Sequence, residues 1–164
     1  MGALAEYLKA ESDQLKNEKN RRREVLRDWV ESLNALYLQM QQWLAACDPE
    51  NLIESTIEQV PGRELTFGDH QLPVLKLILV DRVVRFRPLA RFMAAMIRPP
   101  GQTKSVRVDG GVELRGLGGR DCYLFRLDGK WYVQKEFENL HINGNDVVPL
   151  DAERFEAVVR ESLG

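Results

Sequence analysis

The chain reads as an α+β protein: a long N-terminal helical region, a candidate coiled coil, followed by an antiparallel sheet closed by a C-terminal helix. Three observations predict this. Residues 3–47 contain neither proline nor glycine, so one helical stretch can run through them. From about residue 72 onward the apolar residues alternate with period two, and Asp-Gly pairs interrupt the alternation. The last fifteen or so residues return to helical spacing behind a capping aspartate. The organisation read from this is a helical arm and oligomerisation region at residues 1–60 and an antiparallel α+β domain at residues 61–164.

The first helix has two unlike halves. In the second, Leu26, Val30, Leu33, Tyr37, Met40 and Leu44 follow alternating steps of four and three, the seam of a heptad repeat, which Cys47 extends by one more step. A flanking row, Trp29, Leu36 and Trp43, widens the stripe beyond what a two-stranded coiled coil requires. The nine of these residues from Leu26 to Leu44 are the expected helix-packing surface, either on the protein's own sheet or on another subunit. In the first half, Leu15 is the sole large apolar residue between Lys9 and Glu24. Such a stretch cannot rest on a core. As one continuous helix the region would be about 70 Å long and would project; the alternative is a break near Asn20 and a folded-back hairpin. Leu4, Tyr7 and Leu8 near the tip point to a contact with a homo-oligomer partner or a helical protein partner.

Residues 48–62 are expected to form a short second helix, capped by Asp48, with Pro49 at its first position and Pro61-Gly62 as its stop. Its buried side would be Leu52, Ile53, Thr56, Ile57 and Val60. The strands follow. Residues 74–80 and 82–88 read as a hairpin turning at Asp81-Arg82, with further turns at Asp109-Gly110-Gly111 and at Asp128-Gly129. Residues 90–97 fit a strand or a short helix equally. In the closing helix Asp151 is the cap, Leu150 and Phe155 form a hydrophobic staple, and Val158, Val159 and Leu163 share a face.

Composition narrows the function classes. The chain has 164 residues, a formal net charge of −2 and two cysteines, Cys47 and Cys122, without metal or redox spacing. The most apolar run, residues 72–80, is too short to cross a bilayer and carries Lys76, so no membrane association is expected. With no apolar leader-like stretch at the start, a reducing, cytoplasmic setting is the expectation. The Gly-rich run at residues 115–120 does not open a helix and so lacks the amide cradle that binds phosphate. Glu136, Glu138, His141 and Asp146 gather carboxylates and an imidazole, but one histidine in a polar loop is a thin basis for a metal or acid-base site. No cofactor or metal is expected, and the reading leans away from an enzyme.

The charge distribution is the sharpest functional signal. Residues 82–107 hold seven bases, Arg82, Arg85, Arg87, Arg91, Arg98, Lys104 and Arg107, and no acid, in a chain where acids outnumber bases. Like charges on adjacent strands repel unless something compensates them. That compensation comes either from the protein's own acids, such as Glu153, Glu156 and Glu161, or from an acidic ligand. An acidic protein surface is favoured over nucleic acid, because the isoelectric point near 5.8 is low for a general nucleic-acid binder. The expectation is a non-catalytic protein-protein interaction and assembly module with a helical arm and a basic surface; the alternative is a nucleic-acid-binding accessory protein using residues 82–107.

Overall fold

The computed structural model describes residues 2–117, 121–136 and 144–164. Helix α1 runs without a break from Ala3 to Cys47, so the arm is a single rod and not a hairpin. It ends where Asp48 donates its amide to Leu44 and Pro49 follows. The second helix expected after it does not form. The Asp48 carboxylate instead accepts the amides of Leu52 and Ile53, at 2.9 and 2.8 Å, and Asn51 adopts a left-handed φ of 55° that turns the chain. Strand β1, Glu54–Pro61, begins at once. Its eight residues all pair with β2, Gln71–Leu79, and this ladder outweighs the helical spacing that the segment also satisfies. Leu52 and Ile57, expected inside, are exposed. The boundary drawn at residue 60 falls inside β1.

Strand β3, Arg82–Ala90, returns from β2 through the two-residue loop Val80-Asp81. The remaining strands are β4 (Met96–Arg98), β5 (Val106–Arg107), β6 (Gly111–Arg115), β7 (Asp121–Leu127), β8 (Lys130–Gln134) and β9 (Asn145–Pro149). Their order is β1-β2-β3-β6-β7-β8-β9-β4-β5, antiparallel except for the parallel pair β4 and β9. Residues 90–97 therefore resolve into a strand end, a short connection and a strand start. The Asp128-Gly129 turn is as expected, with both residues at positive φ as a tight hairpin turn requires.

The Asp109-Gly110-Gly111 turn is a correction, because β5 and β6 do not pair with each other. Both pair with the preceding segment: β4 with β5, Ala95 O with the Val108 amide, and β3 with β6. Asp109 and Gly110 keep the chain extended by exchanging backbone hydrogen bonds with Arg126. Two long, bent segments thus run side by side, and the register shifts between Pro88 and Ala90, where proline has no amide to give. Since β9 pairs with β8 on one side and with β4 on the other, the sheet curls until it meets its own β3–β4 segment.

The larger core lies between one face of this sheet and both helices. The seam residues Leu33, Tyr37, Met40 and Leu44 are buried there with Trp29 and Leu36, while Leu26, Val30 and Trp43 pack on its border. The heptad seam is therefore closed by the chain's own sheet. Helix α2, Ala152–Leu163, completes the layer with the predicted cap, Asp151 accepting the Arg154 amide at 2.8 Å. Phe155 meets Trp43 edge-on at 5.7 Å and Phe86 at 6.2 Å. Trp29 stacks on Trp131 at 6.1 Å and sits so close over Gly110 that a Cβ there would lie 2.5 Å from its ring. A smaller cluster of Ala95, Ile97, Val108, Phe125 and Val147 fills the curl.

Candidate functional site

The outer sheet face, opposite the helices, is built by strand alternation. Along β3, Val84 and Phe86 turn into the core while Arg85 and Arg87 turn outward, as period two dictates. Arg85 stands directly across from Lys76 on β2, a like-charge pair that would repel. Glu58 on β1 relieves it, lying 3.3 Å from Lys76 and 3.5 Å from Arg85. The hydrogen-bonded Lys76 ammonium, with Arg85 beside it, holds the Glu58 carboxyl below its usual value. One strand further, Arg87 faces Glu113 in register on β6, and Glu113 is bonded by Arg115 at 2.5 Å.

These side chains border a cavity of about 520 Å³ whose charged rim is Arg63, Arg85, Arg87 and Arg115 with Glu58 and Glu113. Its floor is apolar, with Val60, Leu72, Val74 and Pro88. Among the described residues, Arg63 and Arg87 have no ion-pair partner. Arg63, Arg115, Lys76 and both glutamates are absent from the sequence-based selection. They lie on four different segments, and only the pairing register brings them to one face.

The other bases of residues 82–107 do different work. Arg82 donates to the Leu163 carbonyl at 2.5 Å, at the end of α2 where a helix presents its partial negative charge. Arg91 donates to the Asp109 carbonyl at 2.7 Å and lies 5.2 Å from the Phe92 ring centre, while Glu64 accepts the amides of Arg91 and Phe92. Arg98 pairs with Asp146 at 3.0 Å, and Arg107 donates to the Met93 carbonyl at 3.1 Å. Lys104 is exposed on the connection between β4 and β5. Four of the seven bases thus fasten loops and ends to the body, two border the cavity, and one stands on a loop. Among the described residues, the ion pairs of this segment reach Glu58 and Asp146, while Glu156 of α2 lies against Cys47.

The second surface is the arm. From Ala3 to Glu24 every residue is exposed except the half-covered Glu11. Leu4, Tyr7, Leu8 and Leu15 are 68, 61, 55 and 54% exposed, values unusual for large apolar residues in one short stretch. The body takes hold of the helix only beyond this point. Asp28 bonds Arg126 at 3.1 Å, and Trp29 is fully buried.

The imidazole and the thiols among the described residues have the following settings. His70 bonds the Gly68 carbonyl at 2.7 Å and packs against Phe67. Cys47 and Cys122 are free thiols, and burial pushes Cys122 up to about 12. Among the described residues, no three His, Cys, Asp or Glu side chains gather as a metal site, and no helix is long and apolar enough to cross a membrane. Glu138 and His141 of the sequence-selected acid-base cluster, like residues 118–120 of the Gly-rich run, lie outside the described residues. Scans against protein-family models, curated proteins and solved structures found no match to this chain.

Proposed function

We propose that this protein is a non-catalytic interaction and assembly module, in which the projecting half of α1 docks a helical partner and the outer sheet face receives an acidic protein segment. The observation that carries this reading is the arm: 22 residues of regular helix stand clear of the body with four large apolar side chains uncovered. A helical segment clear of the body has no tertiary packing to stabilise it, and an apolar stripe on it gains stability only when something packs there. The cavity supports the second half of the reading. It offers two unpaired guanidiniums, Arg63 and Arg87, above an apolar floor, a combination suited to a carboxylate-bearing segment with an apolar neighbour.

The nucleic-acid alternative is weakened by the fate of the basic run. Four of its bases are turned to carbonyls, an aspartate or a helix end, which leaves no row of free cations within residues 82–107 to track a phosphate backbone. The test is direct binding of a labelled Glu-rich peptide, and of single- and double-stranded oligonucleotides, across a salt series. Wild type and an Arg63→Ala, Arg87→Ala variant are compared. Peptide binding that falls at least fivefold in the variant, with weak oligonucleotide binding in both, is expected. Tight oligonucleotide binding lost in the variant would replace this reading with the nucleic-acid one. For the arm, amide exchange at residues 3–24 should slow when the protein is raised from sub-micromolar to tens of micromolar or given its partner. Free exchange under both conditions would remove the arm from the function.

A further inference from the structure

The four exposed apolar residues of the arm are not placed at random around the helix. Leu4 precedes Met40 by 36 residues, Tyr7 precedes Trp43 by 36, Leu8 precedes Leu44 by 36, and Leu15 precedes Leu33 by 18. At about 3.6 residues per turn these are about ten and five whole turns. Each exposed side chain therefore points in the direction of a residue that packs on the sheet. The arm's apolar stripe continues the buried stripe of the same helix, and whatever covers it must lie on the side of the helix where the body lies.

The charge of the arm is also ordered along its length. Residues 3–13 hold three acids and one base, and residues 14–24 hold five bases and two acids. The tip is net negative by two and the root net positive by three. A parallel pair of such helices sets like charge beside like charge, whereas an antiparallel pair sets each tip on the other's root. The free length supplies a further constraint. The 22 projecting residues span about 33 Å, and the body begins where they end. Two arms laid antiparallel over their full length would each stop against the other's body, on the side that the stripe demands.

We infer that two copies of this chain pair through antiparallel arms, residues 3–24 of one against residues 24–3 of the other, about a two-fold axis near Asp13 and Gln14. The patch is then self-complementary, as a two-fold interface requires. In this register Leu15 inserts between Leu8 and Leu15 of the second copy, and Glu11 lies beside Lys16 of the second copy. This inference rests on the reading of the arm as a contact and names its occupant.

The experiment uses the full chain in a Cys47→Ser background, which removes the exposed thiol and leaves the buried Cys122. Sedimentation at tens of micromolar should show a dimer that weakens with salt and becomes a monomer in the Leu8→Glu, Leu15→Glu variant. These positions are exposed, so folding of the body is unaffected and circular dichroism checks it. Orientation is read by oxidation. Ala5→Cys with Arg22→Cys should give a covalent dimer, and Ala5→Cys alone should not. A covalent dimer from Ala5→Cys alone means parallel arms; it overturns the inference while the arm remains a contact. A monomer at all concentrations overturns the second copy as occupant and leaves the arm to another helix, which the exchange measurement on residues 3–24 then decides. A dimer untouched by the two leucine substitutions overturns both the inference and the reading beneath it.

Discussion

Replacing Tyr37 by phenylalanine removes one oxygen from the centre of the core and little else. The side chain is fully buried, and its hydroxyl donates toward the carbonyls of Pro73 and Phe86, at 3.1 and 3.2 Å. The place it occupies explains its presence. The ladder between β2 and β3 stops at Leu75↔Phe86, and two positions further along the same register Pro73 would stand across from Pro88, neither of which has an amide to donate. The Tyr37 hydroxyl brings a donor from the helix layer to the point where the sheet runs out of them. A net hydrogen bond contributes about 0.5–1.5 kcal/mol, and a buried carbonyl left without a donor costs about 1–3 kcal/mol. Tyr37→Phe should therefore destabilise by about 1–2 kcal/mol, lowering Tm by roughly 2–8 °C for a chain of this size. Urea unfolding checks that the m-value is unchanged, so that the loss is one of stability and not of cooperativity. The pH dependence gives a second readout. Burial raises the Tyr37 phenol far above its ordinary value of 10.0, so its contribution is intact below pH 10 and lost as the unfolded chain ionises above it. The variant should lack that alkaline loss. A Tm within 1 °C of wild type would show that the two carbonyls find other donors and that the hydroxyl is incidental.

Val80 occupies the first position of the β2–β3 turn at φ 58°, a left-handed conformation that disfavours a β-branched residue, and it is 91% exposed. Val80→Asn should stabilise by about 0.5–1 kcal/mol in thermal unfolding, because asparagine tolerates that region and no contact is lost. Cys122 supplies an alkaline signature of its own. Its thiol is raised from 9.0 to about 12 by burial first and by Glu161 second, so stability is complete below pH 9 and falls as the pH passes through that window. Cys122→Ala should lower stability at neutral pH through the small void it leaves, yet show a flatter decline between pH 9 and 12 than wild type. Parallel curves for the two proteins would mean that the thiol ionises as readily folded as unfolded.

Most elements were legible in the sequence because their local signals agree with their tertiary setting. The helical character of residues 3–47, the Asp151 cap and the Asp128-Gly129 turn each rest on chemistry within a few residues, whereas the continuity of the helix past Asn20 was left open by the sequence. Residues 48–61 were not legible, because helical spacing and strand propensity coexist there and an eight-residue ladder with β2 decides between them. The bend at Asp109-Gly111 failed for a related reason. Its glycines serve close approach to Trp29 and an extended crossing from β5 to β6, and nothing local separates that use from a turn. For the site, the outward arginines of β3 follow from alternation. Arg63, Arg115 and the two glutamates become neighbours only through register, which a single sequence does not encode in readable form. The acid-free run suggested one patch, but a base that caps a carbonyl looks the same in sequence as one that awaits a ligand.

The arm and the core of this molecule are joined by one continuous helix. The arm is helical at its root because it continues a segment whose next turns are buried as Trp29, Leu33 and Leu36, so nucleation, the costly step of helix formation, is already complete. Propagation toward the tip then depends on side-chain pairs and propensity, and residues 9–24 are rich in lysine, glutamate and arginine, all good helix formers. The tip, farthest from the anchor, frays first. It also carries Leu4, Tyr7 and Leu8, so the residues with most to gain from a partner are those least held without one. The proposed docking at the tip would therefore order the weakest turns of a rod whose far end is the core. The direction of that rod is set at its root by Trp29 over Gly110 and by Asp28 on Arg126.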